Sequence, residues 1–300
     1  MVPCVSEHRG IVAIGVDKST SLLLWCARLR SVAIPFSSTA DFVARLGSRA
    51  SVPGEVRSRW GIAEYVDLTA RDEGIDEQLH RLAYDDARAL RRTDPARVLA
   101  LISALASPPS AELNMARLAA LARIPPTTIA PYVELVERLG LVRSLPGTRA
   151  VVAKRAVGRP RIVFDDPAVA RHLAGISAPD LLELAGRRLL APLLEGIAIS
   201  ALLRQQQSSS VDYRLGHLRE RNGLEVDVIV ELPDDTVYGI EIRTAAGFRP
   251  HQFRALEALA GRAGPRFRGG IVLNTAPVGF KYRPGLWGLP ISALWEWETS

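Results

Sequence analysis

Asp227 and Glu241 are the residues of this chain whose types and spacing most directly suggest chemistry. They lie in the stretch GLEVDVIVELPDDTVYGIEIR, from Gly223 to Arg243, which divides into two alternating runs around a Pro233-Asp234-Asp235 turn. On the first run Val226, Val228, Val230 and Leu232 share one face, with Glu225, Asp227, Ile229 and Glu231 on the other. On the second, Tyr238, Ile240 and Ile242 make the apolar face, opposite Val237, Gly239, Glu241 and Arg243. If the runs form a hairpin whose apolar faces join one core, Asp227 stands across from Glu241, or one diagonal step away. Glu225 then faces Arg243. Neighbouring carboxylates repel unless a proton or a cation sits between them, so this pair is a candidate metal site. The plainer alternative is a hairpin with a solvated polar face and a Glu225–Arg243 pair worth a fraction of a kcal/mol.

The elements that must position the pair can be read on either side of it. Asp180 caps a leucine-rich helix, Leu181 to Leu190, and Pro192 begins another that runs to about Arg204. Glu195 sits there among Leu193, Leu194, Ile197 and Leu202, either as an exposed helix residue or as a third carboxylate aimed at the hairpin; spacing leaves both open. Gln205 to Ser210 reads as a loop and Val211 to Leu218 as a strand, with a turn at Arg221-Asn222-Gly223. Downstream come a small-residue loop, Thr244 to Gly247, and a helix opened by Pro250 that carries Phe253, Leu256 and Leu259. Ile271 to Leu273 is a short buried strand, and Trp287 to Trp297 reads as a last strand and a helical turn. Helices and strands interleave, which predicts a mixed α/β core.

Residues 94 to 165 have the organisation of a winged helix. Asp94-Pro95 opens a helix over Ala96 to Ala106, which Pro108-Pro109 stop. A second helix follows around Asn114 to Ala122, and a third from about Thr128 to Leu139, ended by Gly140. Leu141 to Phe164 alternates and is broken at Pro146-Gly147 and Gly158-Arg159-Pro160, as a two-stranded wing would be. The exposed face of the third helix offers Ala130, Pro131, Glu134, Glu137 and Arg138, a poor set for reading bases beside phosphate. The wing is better suited: Arg143, Arg149, Lys154, Arg155, Arg159 and Arg161 make a candidate phosphate-tracking surface, or else an interface to another domain.

Upstream, strand-like runs at Gly10 to Val16 and Ser31 to Phe36 flank an apolar stretch, Ser21 to Leu29. Gly10 and Gly15 have the glycine spacing of a phosphate-binding loop, but Val16-Asp17 intervene before Lys18-Ser19, so the lysine is misplaced and no ATP binding is expected. From Gly54 to Leu90 the apolar spacing turns helical, with a break at Gly74. With 300 residues, 48% of them hydrophobic, the chain can bury more than one core, and its net charge of +6 fits an acidic polymer as partner. Two cysteines and no zinc-like spacing indicate a reduced, cytoplasmic setting, and the apolar patch Leu22 to Cys26 is far shorter than the ~20 residues of a membrane span.

Several of these segments occur in a familiar order: Leu193-Leu194-Glu195, Arg214 before the turn, Leu224-Glu225-Val226-Asp227, Gly239-Ile240-Glu241-Ile242-Arg243, and Leu289-Pro290-Ile291-Ser292-Ala293-Leu294-Trp295. Together they resemble the C-terminal domain of a large group of prokaryotic AAA-type ATPases, and Trp60 to Asp72 resembles the helical segment that follows the ATPase core. The resemblance implies a winged helix followed by a nuclease-like α/β domain of the PD-(D/E)XK kind with a mixed sheet. It further implies a truncated member without the ATPase phosphate loop: residues 1–55 as a degenerate remnant of that module, 56–93 helical, 94–175 the winged helix and 176–300 the nuclease-like domain. Carried over residue by residue, Glu195, Asp227 and Glu241 would hold Mg²⁺ and Arg243 stands where the motif has lysine. An arginine can brace negative charge but hardly exchanges a proton near pH 7. The implied role is a nucleic-acid-associated or protein-interaction module with DNA or another protein as partner and no membrane; the alternative is a Mg²⁺-dependent DNA phosphodiesterase.

Overall fold

A computed structural model describes residues 41–47, 56–90, 93–148, 158–183, 186–220, 223–296 and 298–299, all within one compact unit, Ser38–Ser300. The readings made over residues 10–36, and Arg149, Lys154 and Arg155 of the basic set, lie outside the described residues. The architecture is mixed α/β, as the sequence predicts. Among the described residues no helix is long and apolar enough to cross a membrane.

The chain first builds helices. After α1 (Phe42–Gly47) and the short strand β1 (Val56–Arg57) come α2 (Ile62–Asp67) and α3 (Ile75–Arg81). Gly74, with φ of 72°, makes the break before α3 in a left-handed conformation that glycine adopts at no steric cost. A π-helical turn, Leu82–Asp86, carries α3 into α4 (Ala87–Leu90). Three further helices follow, α5 (Pro95–Leu105), α6 (Met115–Ala122) and α7 (Ile129–Arg138), and then the antiparallel strands β2 (Val142–Leu145) and β3 (Arg161–Phe164). Asp94 caps α5 as the sequence indicates, accepting from the Ala96 amide at 3.0 Å, and Asn114, read only as the start of the second helix, caps α6 by accepting from the Arg117 amide at 3.0 Å.

α8 (Pro167–Leu173) leads to a correction. Where the sequence predicts two helices separated at Pro192, a short 3-10 turn, Pro179–Leu182, precedes one continuous helix, α9 (Arg187–Ser208), which contains Pro192 and absorbs most of the expected Gln205–Ser210 loop. Pro192 lies inside the helix and has no amide to donate to the Arg188 carbonyl, but the buried run Leu193, Leu194, Ile197, Ala198, Ala201 and Leu202 holds one helix across it.

The sheet comprises β4 (Arg214–Arg219), β5 (Glu225–Glu231), β6 (Val237–Ile242), β7 (Phe267–Asn274), β8 (Phe280–Arg283) and β9 (Leu286–Pro290), with α10 (Arg254–Ala263) between β6 and β7. Its order is β4-β5-β6-β7-β9-β8, antiparallel from β4 to β6, parallel from β6 through β7 to β9, and antiparallel again at β8. Leu256 and Leu259 of α10 pack with Val226, Ile229, Val237 and Val272. Gly239 permits this approach: a Cβ there would lie 2.7 Å from the terminal carbons of both leucines. β6 is buried along its whole length and β5 along nearly all of it, so the alternative of a hairpin with one solvated polar face does not hold; the two strands are the covered centre of a larger sheet.

Three sets of contacts hold the unit together. β1 pairs with β10 (Glu298–Thr299), and Trp60 and Tyr65 pack against Trp295, with the Tyr65 hydroxyl accepting from the Ser292 amide at 2.9 Å. Buried Arg171 on α8 donates to the Thr69 carbonyl at 2.7 Å and pairs with Asp72, fixing the turn between α2 and α3. The segment after β2 runs along β4, with His217 donating its amide to Pro146 O at 2.9 Å and accepting the Thr148 amide at 2.8 Å. Gly216 makes room for it, since a Cβ there would meet the Thr148 backbone at 2.9 Å.

Candidate functional site

The register sets the two carboxylates together. β5 and β6 pair Val228 with Ile240 and Ile229 with Gly239, so the same register carried one residue further puts Asp227 across from Glu241, as the alternation predicts. The ladder ends on a side chain, for the Ile242 amide donates to Asp227 Oδ2 at 2.9 Å. On its other edge β5 bulges. β4 pairs Gly216 with Ile229 but Leu218 with Val226, so Asp227 and Val228 together oppose His217. The bulge also returns Val226 and Ile229 to one face, which strict alternation would have separated.

The charge around these carboxylates comes from two arginines. Arg161, at the head of β3, has a side chain only 6% exposed; its guanidinium pairs with Glu195 of α9 and Glu225 of β5 and lies 3.5 Å from Asp227. Arg243, just past β6, pairs with Asp227 at 3.0 Å and with Glu241. The expected Glu225–Arg243 cross-strand pair is therefore replaced: Glu225 goes to Arg161 and Arg243 to the Asp227–Glu241 couple. Glu195 is resolved in favour of the inward reading, since it joins the cluster through Arg161 rather than standing on a solvated helix face.

Glu241 is the anomalous member. It is 1% exposed, its Oε1 has no hydrogen-bond partner among the described residues, and burial, reinforced by the charge of Asp227, pushes its carboxyl up to about 9 against the pull of Arg243. Near neutral pH Glu241 is accordingly the protonated acid of the group. Two satellites border the cluster. The buried His217 ring donates from Nε2 to the Arg159 carbonyl at 2.7 Å, and burial lowers its pKa, so it stays neutral with Nδ1 bare. Burial alone would raise Asp165, but hydrogen bonds and charge from Arg143 and Arg204 outweigh that and hold its carboxyl below the ordinary range.

Mg²⁺ needs several oxygen ligands converging at about 2.1 Å. Here Arg161 lies between Glu195 and Asp227, and Arg243 between Asp227 and Glu241; among the described residues no three acidic, histidine or cysteine side chains are disposed to hold a metal ion. As placed, the three carboxylates do not fit the metal that the family resemblance implies.

The described members of the basic set, Arg143, Arg159 and Arg161, do not share one surface. Arg161 is turned inward and Arg143 is half-buried on Asp165, so neither faces solvent as a phosphate-tracking residue would; the carboxylates they meet offset the cost of taking their charge out of water. Arg159 is exposed. Nothing in the local sequence Arg161-Ile162-Val163-Phe164 names the partners of Arg161, all of which are distant in the chain; the one available signal is a charged residue heading an otherwise apolar strand.

Comparison with known proteins divides the chain at this cluster. Residues 191–294 match the model of a domain of unknown function (DUF4143), which is found in the C-terminal region associated with prokaryotic AAA-type ATPases, and residues 62–180 match that of a second domain of unknown function (DUF8612). Arg161 belongs to the second segment, while Glu195, Glu225, Asp227, Glu241 and Arg243 belong to the first, so the ion pairs join the two. No curated protein and no solved structure matches the chain.

Proposed function

We propose that this chain is a nucleic-acid-associated or protein-interaction module related to AAA-type ATPases, in which a winged helix is fastened to a nuclease-like domain whose carboxylate site serves as an internal ion-pair lock. The observation that carries this reading is Arg161: a residue of the β2–β3 hairpin fills the space between Glu195, Glu225 and Asp227 with positive charge. An arginine there offsets part of the carboxylates' charge at every pH near neutrality, and neither it nor Arg243 supplies the proton exchange that a lysine at the motif position could. The winged-helix reading is supported by the order α5, α6, α7, β2, β3, with Ala111 accepting from the Ile162 amide at 3.1 Å to brace the hairpin. Among the described members of the basic set Arg159 is exposed at its surface, and DNA contact would be made through phosphate rather than bases.

One experiment tests the reading. A fluorescent duplex is titrated with the protein at several salt concentrations, and the same mixtures are resolved on a gel after incubation with Mg²⁺ or Mn²⁺. Salt-dependent binding with a slope reduced by about one unit in Arg159→Ala, and intact DNA throughout, is the expected outcome. Metal-dependent cleavage that Asp227→Ala abolishes would overturn it in favour of the phosphodiesterase.

A further inference from the structure

A groove of about 780 Å³ is walled by the segment before and into α2, by the entry to α9, and by the loops that follow β6 and β7. Its place in the fold is informative. β6 and β7 are parallel, and the groove is lined by Thr244 and Thr275, which lie just past their carboxyl ends. In open α/β sheets that edge is where loops diverge and leave a crevice, and its volume is that of a small-molecule site.

The lining carries an imbalance of charge. Arg59 pairs with Glu296 at 3.0 Å, and the Glu64 carboxylate accepts from the Gly61 amide at 2.7 Å, so both have partners within the fold. Arg187 has no carboxylate within ion-pair distance among the described residues. Large apolar side chains that would ordinarily be covered stand beside it: Leu182 is 40% exposed and Ile62 37%, with the Trp60 indole in the same wall. Thr275 is 3% exposed and its hydroxyl has no hydrogen-bond partner among the described residues. A buried hydroxyl left this way is costly until something supplies a bond.

We infer that the groove binds a small anionic ligand with a flat apolar body, its acid group on the Arg187 guanidinium and its ring system against Trp60 and Leu182. The site is separate from the ion-pair lock and does not depend on the DNA reading. Phosphate and carboxylate would satisfy the same guanidinium, so the acid group is left to the test.

The full chain is titrated with anilinonaphthalene sulfonate, an anionic aromatic probe, and its fluorescence followed; bound probe is then competed with phenyl phosphate and with phenylacetate. Saturable binding that weakens at least tenfold in both Arg187→Ala and Leu182→Asp, with Arg138→Ala on α7 as an unaffected control, is expected, and the stronger competitor names the acid group. Both substitutions are at exposed positions, so folding is not at stake. Absence of saturable binding, affinity within twofold of the parent in both variants, or displacement by neither competitor would overturn the inference.

Discussion

At the scale of single residues, Glu241 is the group whose protonation the fold controls most strongly. Its carboxyl is raised to about 9, so between about 4.3, the ordinary value for glutamate, and 9 the folded chain holds a proton that the unfolded chain has released. Stability contributed this way is present at low pH and lost as pH rises through that window. His217 and Asp165 act in the opposite sense: each is lowered, so the stability they contribute is lost as pH falls below their ordinary values. The range pH 7 to 9 therefore isolates Glu241. Glu241→Gln should keep the fold, match or exceed the parent in stability at pH 8, and flatten a decline of up to about 1.4 kcal/mol per pH unit, read from urea unfolding at several pH values. A parent whose stability rises from pH 7 to 9 would refute the assignment. The sequence placed Glu241 opposite Asp227 because strand alternation is local; its protonation depends on how deeply both faces of the sheet are covered, which alternation does not report.

At the scale of elements, the β2–β3 hairpin is held to α9 and β5 by Arg161, and to β4 by the segment around Thr148. Removing one partner of a buried ion cluster leaves the others uncompensated, which costs about 3–5 kcal/mol. Arg161→Ala should lower the unfolding midpoint by on the order of 10 °C, whereas Arg159→Ala, at an exposed position, should leave it within a degree or two. Equal, small effects from both would mean that the lock contributes little. Helix and strand positions were largely legible in the sequence, because caps such as Asp94 and Asn114 and a break such as Gly74 act through neighbouring residues. The exceptions have physical causes. Pro192 suggested a helix start, but tertiary burial of the leucine-rich face carried one helix across it. β8 went unread because Phe280-Lys281-Tyr282-Arg283, although it alternates, is only four residues long and mostly exposed, so no buried face marks it.

At the scale of the whole molecule, two matched segments, residues 62–180 and 191–294, are joined by a cluster in which the carboxylates come from one and the filling arginine from the other. The sequence supplies the acids and the family resemblance implies a metal for them; the Arg161 guanidinium that pairs with them is remote in sequence, where it reads as part of a phosphate-tracking wing. If Arg161 fills the space a metal would need, the full chain binds none there, and calorimetric titration with Mn²⁺ tests this most directly. The predicted result is no saturable site and the same weak heats in the parent and in Asp227→Ala. A stoichiometric Mn²⁺ site in the parent that Asp227→Ala removes would contradict it.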